Sequence, residues 1–158
     1  LDGDGCMEWI VDYEPGELKA VAGKLSAASS DGCVSFTLHT TGDAAKLLLS
    51  RWRSAREKGE NADGLHPVYQ VEITVADSEG CRIGNADCLV EAQVTGSGVL
   101  LGLENGDLAD NTPYSDSSRR AHEGRLIAYI RRTGDGAITL RAQAENLPEE
   151  TLIIEENA

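Results

Sequence analysis

The sequence predicts an all-β fold, an antiparallel β-sandwich preceded by a smaller β-domain. Three observations predict it. Apolar residues recur with a period of two, not with the 3.6 of a helix. Clusters of Gly, Pro, Asp and Ser punctuate the runs at short intervals. The 158 residues, 41% of them hydrophobic, suit one domain or two small ones.

In the N-terminal piece, strands are expected near 6–12, 17–23 and 33–40, separated by YEPGE at 13–17 and SSDG at 29–32. Trp9 shares a face with Met7 and Val11, which predicts a core position. In the third of these strands Val34, Phe36 and Leu38 alternate with Ser35, Thr37 and His39. The polar link Thr40-Thr41-Gly42-Asp43-Ala44 then marks a joint, giving domains over 1–42 and 43–158. Three strands bury little surface, so the first piece either packs on its neighbour or lacks upstream strands. An opening on Leu1 rather than Met fits a piece of something longer. Residues 44–58, AAKLLLSRWRSAREK, fit either a helix or a strand; a strand over 46–51 is expected, then an irregular insertion to about 65.

Beyond it, Tyr69, Val71, Ile73 and Val75 share one face, as do Val90, Ala92 and Val94, then Leu126, Ala128 and Ile130, then Ile138, Leu140 and Ala142. One apolar and one polar face per strand is the pattern of antiparallel sheets with a single buried side. The turns DSEG at 77–80, GSG at 96–98 and TGDG at 133–136 fall between these runs.

A net charge of −13 opposes binding to nucleic acid or to an anionic membrane surface. No apolar run approaches the roughly 20 residues of a membrane helix. The four cysteines, Cys6, Cys33, Cys81 and Cys88, form no C-x-x-C pair and are expected to be free thiols in a reducing compartment, the cytoplasm rather than the exterior.

Several stretches together resemble the C-terminal β-domains of family 2 glycoside hydrolases, the β-galactosidases and their relatives. They are WIVDYEPGELKAVA at 9–22, TTGDAAKLLLS at 40–50 and VYQVEITVADSEGCRIGNADCLVEAQVTGSGVLLGLENGD at 68–107. Pro113-Tyr114, Arg119-Arg120-Ala121 and Gly124 continue the match in the same order. Gly84 and His122 depart from the family pattern, and the insertion RWRSAREKGENADGLHP is longer than usual. The resemblance implies an Ig-like sandwich over 43–158, an incomplete domain before it, a bacterial origin, and a catalytic barrel upstream in the same polypeptide as partner. It also implies a non-catalytic accessory role in packing, active-site shaping or oligomer contacts. A homodimer through an exposed sheet edge is a further expectation.

The residues support that reading independently. The family's chemistry uses two glutamates on a (β/α)₈ barrel. Such a barrel needs about 250 residues. The family's acid/base glutamate follows an Asn, but here Glu-Asn occurs four times and Asn-Glu never. His39, His66 and His122 sit in no catalytic signature, and no G-x-S-x-G presents a serine. No catalytic residue, metal ligand or cofactor is assigned. Two other classes stay open: an independent carbohydrate-binding module and an Ig-like adhesion repeat of a bacterial surface protein.

The passage GLENGDLADNTPYSDSSRRAHEG at 102–124 is the longest polar stretch. Asn105, Gly106 and Asp107 are expected to form turns through side chain-to-backbone hydrogen bonds. Arg119 or Arg120 is expected to pair with Asp107 or Asp116 and tie the loop down. Asn105, Asp107, Asp110, Asn111 and Asp116 would also suit calcium, although the spacing is not that of an EF-hand. Sugar contact needs an aromatic platform; Trp9, Tyr13, Trp52 and Tyr114 are the candidates, of which Trp52, in the basic run RWRSAR, and Tyr114 are singled out together with Asp107.

Overall fold

A computed structural model describes residues 8–23, 34–52 and 67–155. All the regular structure among them is strand, and none of it is a helix long and apolar enough to cross a membrane. The chain divides into two compact units, Leu1–Thr40 and Thr41–Ala158.

The first unit contains β1 (Glu17–Ala22) and β2 (Val34–His39), paired antiparallel with Leu18 opposite Leu38 and Ala20 opposite Phe36. The Gly16 carbonyl accepts from the Thr40 N–H and closes the open end of the hairpin. Opposed residues share a face, so Leu18, Ala20, Ala22, Val34, Phe36 and Leu38 form an apolar side, and all are exposed. The strand expected near 6–12 is not found over its described part, 8–12. Trp9, expected in the core, is 64% exposed. Alternation makes a strand only where another strand offers ladder partners, and no described segment pairs with 8–12.

The second unit is a sandwich of two four-stranded antiparallel sheets. Its strands are β3 (Lys46–Trp52), β4 (Val68–Ala76), β5 (Leu89–Gly96), β6 (Gly98–Glu104), β7 (Ser118–Arg120), β8 (Arg125–Arg132), β9 (Ile138–Ala144) and β10 (Glu150–Ile154). One sheet has the order β3-β4-β8-β6 and the other β10-β9-β5-β7. These are the A-B-E-D and G-F-C orders of an Ig sandwich, with β7 added at the edge beside β5. Within residues 44–58, which fitted both periods, Lys46–Trp52 is strand, paired along its length with β4. The insertion expected up to about 65 lies, from 53 on, outside the described residues, as does His66.

Leu47, Val71, Ile73, Val75, Leu126, Ala128 and Ile130 from the first sheet meet Val90, Ala92, Ile138, Leu140, Ala142 and Ile154 from the second. Each fully buried Val, Leu or Ile contributes about 1.5–3 kcal/mol relative to exposure. At one end a polar cluster joins this core. Arg132 Nε donates to the Tyr69 hydroxyl at 3.0 Å, and the Arg51 guanidinium lies 4.7 Å from the Tyr69 ring centre. The chain crosses between sheets at Gly96-Ser97-Gly98, where Gly96 has φ +82° and a Cβ would lie 2.4 Å from the Ala137 carbonyl oxygen.

Cys81 and Cys88 are free thiols, and burial pushes the Cys88 thiol up. Cys6 and Cys33 lie outside the described residues.

Candidate functional site

The loop from β6 to β7 is a chain of side-chain turns. Glu104 Oε1 accepts from the Gly106 N–H at 2.7 Å, Asn105 Oδ1 from Asp107 at 3.0 Å, Asp107 Oδ1 from Ala109 at 2.9 Å and Asp110 Oδ1 from Thr112 at 2.8 Å. Each spans two residues, the local bonding for which Asn and Asp are favoured in turns. Of the oxygens that would suit calcium, Oδ1 of Asn105, Asp107 and Asp110 are thus engaged by backbone N–H groups. Among the described residues no three His, Cys, Asp or Glu side chains are grouped to hold a metal.

Arg119 anchors the loop from β7. It is 1% exposed. Its guanidinium meets Asp110 Oδ2 at 3.2 Å, donates to the Thr112 carbonyl and stacks 4.7 Å from the Tyr114 ring centre. The pairing acid is therefore Asp110, not Asp107 or Asp116. Asp107 Oδ1 and Asp110 Oδ1 each cap their own turn, but Asn105 Nδ2 also donates to Asp110 Oδ2 at 2.9 Å and turns that carboxylate toward β7. Arg120 points the other way and donates to the Asp87 carbonyl at 3.0 Å. Beyond the loop's middle, the Tyr114 carbonyl accepts from the Leu103 N–H at 2.8 Å. That approach needs Gly102, where a Cβ would lie 2.1 Å from the Tyr114 oxygen.

Between the loop and the β5–β7 edge lies an open cleft of 540 Å³ lined by Asp87, Leu89, Asp107, Arg120 and His122 among others, with the Asp110–Arg119 pair in its wall.

Trp52 is elsewhere. It ends the edge strand β3, 54% exposed, and its Nε1–H donates to Glu72 Oε2 at 3.1 Å. Tyr114 flanks β6, the opposite edge of the same sheet. Three inter-strand spacings separate those edges, about 14 Å. The predicted sugar-contact residues thus split: Asp107 and Tyr114 belong to one loop, and Trp52 to another edge. Beside Trp52 the register aligns Trp52, Gln70 and Tyr129 across β3, β4 and β8. Tyr129 was not singled out in the sequence, yet with Ile127 it is an outward residue of LIAYI, between the buried Ala128 and Ile130.

A second hub stands where β4 ends. Asp77, 4% exposed, accepts from the N–H groups of Gly42 at 2.9 Å, Glu79 at 3.0 Å and Cys81 at 2.8 Å. The Gly42 bond, then that of Cys81, holds its carboxyl below the usual range despite burial. Asp110 is lowered likewise, first by the Thr112 side chain and N–H, with Arg119 and Asn105 adding. In both, the folded pKa lies below the unfolded value, so the carboxylate's contribution to stability is complete above the unfolded value, about 3.9, and is lost as pH falls through the folded one. Thermal melts should therefore show Tm falling below about pH 4, with a shallower acid decline in Asp77→Asn and Asp110→Asn. Equal acid slopes in wild type and variants would refute this assignment.

Residues 55–153 match the family described as glycoside hydrolase family 2 C-terminal domain 5. The chain is 31% identical over 152 residues to the β-galactosidase BoGH2A of Bacteroides ovatus, a match covering 94% of this chain and 16% of that protein. A β-glycosidase from Bacteroides vulgatus has a similar structure, with TM-score 0.79 and 25% identity over 94% of this chain and 18% of its own. A glycosyl hydrolase family 2 member from Bacteroides cellulosilyticus DSM 14838 follows with TM-score 0.76 and 25% identity, over 92% and 19%. The chain thus spans less than a fifth of the length of these relatives. With the Ig-type strand order and this match over more than half its residues, the chain belongs to the C-terminal domain 5 family of family 2 glycoside hydrolases.

Proposed function

We propose that the chain is the non-catalytic C-terminal accessory region of a bacterial family 2 glycoside hydrolase of the β-galactosidase type. It packs against the catalytic barrel of the same polypeptide, shapes the approach to its active site or supports oligomer contacts. The carrying observation is the asymmetry of the match, 94% of this chain against 16% of a β-galactosidase. The first unit is then the end of a further β-sandwich over 1–42, whose other strands would cover the apolar face of the β1–β2 hairpin. Supporting this, a lone two-stranded hairpin is marginal in water. The free thiols Cys81 and Cys88 fit a cytoplasmic location.

The test uses the purified chain and an aryl β-galactoside. No turnover is expected, together with fast amide exchange in β1 and β2 and slow exchange in β4 and β8. Turnover by the chain free of contaminating hydrolase would overturn the accessory reading; slow exchange in the hairpin would overturn the shared-sandwich reading.

A further inference from the structure

The solvent face of the β3-β4-β8-β6 sheet carries a row that the turn loop and the core leave unexplained. Trp52 faces Gln70, and Gln70 faces Tyr129. Residues directly opposed across strands share a face. The inward neighbours Val71, Ala128 and Ile130 are fully buried, so Gln70 and Tyr129 point outward. An indole, a carboxamide and a phenol therefore stand in line, with the two rings two inter-strand spacings apart, about 10 Å. The indole is also fixed: its N–H is held by Glu72, whose other oxygen accepts from the Thr74 hydroxyl at 3.2 Å.

The surroundings decide between occupants. A protein interface has an apolar centre and a polar rim. Here polar groups hold most of the centre. The two middle strands present Gln70, Glu72, Thr74 and Tyr129, with the half-buried Ile127 opposite Glu72, while the exposed aliphatics Leu48, Val68, Val99 and Leu101 lie toward the edges and ends of the face. Rings that stack, with hydrogen-bonding groups between them, suit a ligand that alternates apolar faces with hydroxyls, which is the chemistry of a pyranose chain. The net charge of −13 favours a neutral one.

We propose that Trp52 and Tyr129 form a stacking platform for a neutral β-linked oligosaccharide, with Gln70 hydrogen-bonding the sugar hydroxyls between them. The idea rests on the chain's place in a sugar-cleaving polypeptide, but it is read out by binding, so it fails independently of the turnover test above. Two rings that far apart engage a chain rather than a single sugar.

Isothermal titration of the purified chain with cellotetraose, a β-linked galactotetraose and methyl β-galactoside tests it. Saturable binding of at least one tetraose is expected, tighter than that of the monosaccharide. Trp52→Ala and Tyr129→Ala should each weaken it about tenfold or more. Trp52→Phe should retain part of the affinity, and Gln143→Ala, on the outer face of the other sheet, should change nothing. Melting temperatures of the variants show whether each remains folded. Absence of saturable tetraose binding by the folded wild type would overturn the proposal. So would binding that survives both alanine variants. Self-association abolished by Trp52→Ala, without saccharide binding, would assign the face to a second copy of the chain instead.

Discussion

Arg119→Ala is expected to destabilise the sandwich by about 3 kcal/mol. This is the largest side-chain effect outside the aliphatic core. Arg119 is 1% exposed and joins three things at once: the Asp110 carboxylate, the Thr112 carbonyl and the Tyr114 ring. Truncation removes a charge-assisted fork, leaves a cavity beneath the loop and strips a half-enclosed carboxylate of its counter-charge. Removing one partner of a buried pair is costly chiefly because the other charge is left behind. In a domain of this size the loss lowers Tm by on the order of 10 °C. Arg119→Lys should recover only part of this, because an ammonium cannot reproduce the planar, two-pronged contact. Thermal melts of the two variants decide the matter. A drop below about 1 kcal/mol for alanine, typical of exposed pairs, would show that the loop is held by its own turns alone.

Gly124→Ala is expected to cost a similar amount, through the backbone. His122-Glu123-Gly124-Arg125 is a two-residue hairpin turn in which the N–H groups and carbonyls of His122 and Arg125 exchange hydrogen bonds. Both central residues are left-handed, Glu123 at φ 50° and Gly124 at φ 75°, the backbone of a type I′ turn. An alanine at 124 pays the left-handed penalty of about 1–2 kcal/mol. Its Cβ would also lie 2.1 Å from the Ile83 carbonyl oxygen, where no flexible side chain can yield. Relieving that overlap adds roughly 1–3 kcal/mol. The Gly124 carbonyl accepts from the Val75 N–H, and its N–H donates to Ala86, so the shift reaches the end of β4. Denaturant unfolding measures the change. Glu123→Gly is the informative control, since it relaxes the neighbouring left-handed residue and should not destabilise. A Gly124→Ala variant as stable as wild type would mean that the 83–86 segment moves aside at little cost.

The sandwich was legible in the sequence because period two is fixed by the pleat itself. Val71, Ile73 and Val75 could face the core only together, and they do. The ambiguous Lys46–Trp52 run became a strand because β4 offers it a continuous ladder, which no local pattern reveals. The same dependence on a partner explains the opposite failure at 8–12, where alternation was present and no described strand pairs with it. Strand β7 is only Ser118–Arg120, too short for any periodicity to register. In the loop, turn chemistry at Asn105, Gly106 and Asp107 followed from residue type, because those bonds span two residues. The choice of Asp110 over Asp107 and Asp116 as the partner of Arg119 depends on how Asn105 orients it across five positions, a three-dimensional fact. Tyr129 was hidden for another reason: its partner in the row, Gln70, comes from a strand 59 positions earlier.

The Asn105-Gly106 pair is the chain's one Asn-Gly dipeptide, the sequence at which proteins age fastest by deamidation. That reaction requires the glycine nitrogen to attack the asparagine side-chain carbonyl and close a succinimide ring. Here the nitrogen is engaged with Glu104, while the asparagine amide is clasped by Asp110 and the Arg120 carbonyl. The bonds that shape the loop thus occupy both the attacking N–H and the departing amide, and so oppose that ring closure.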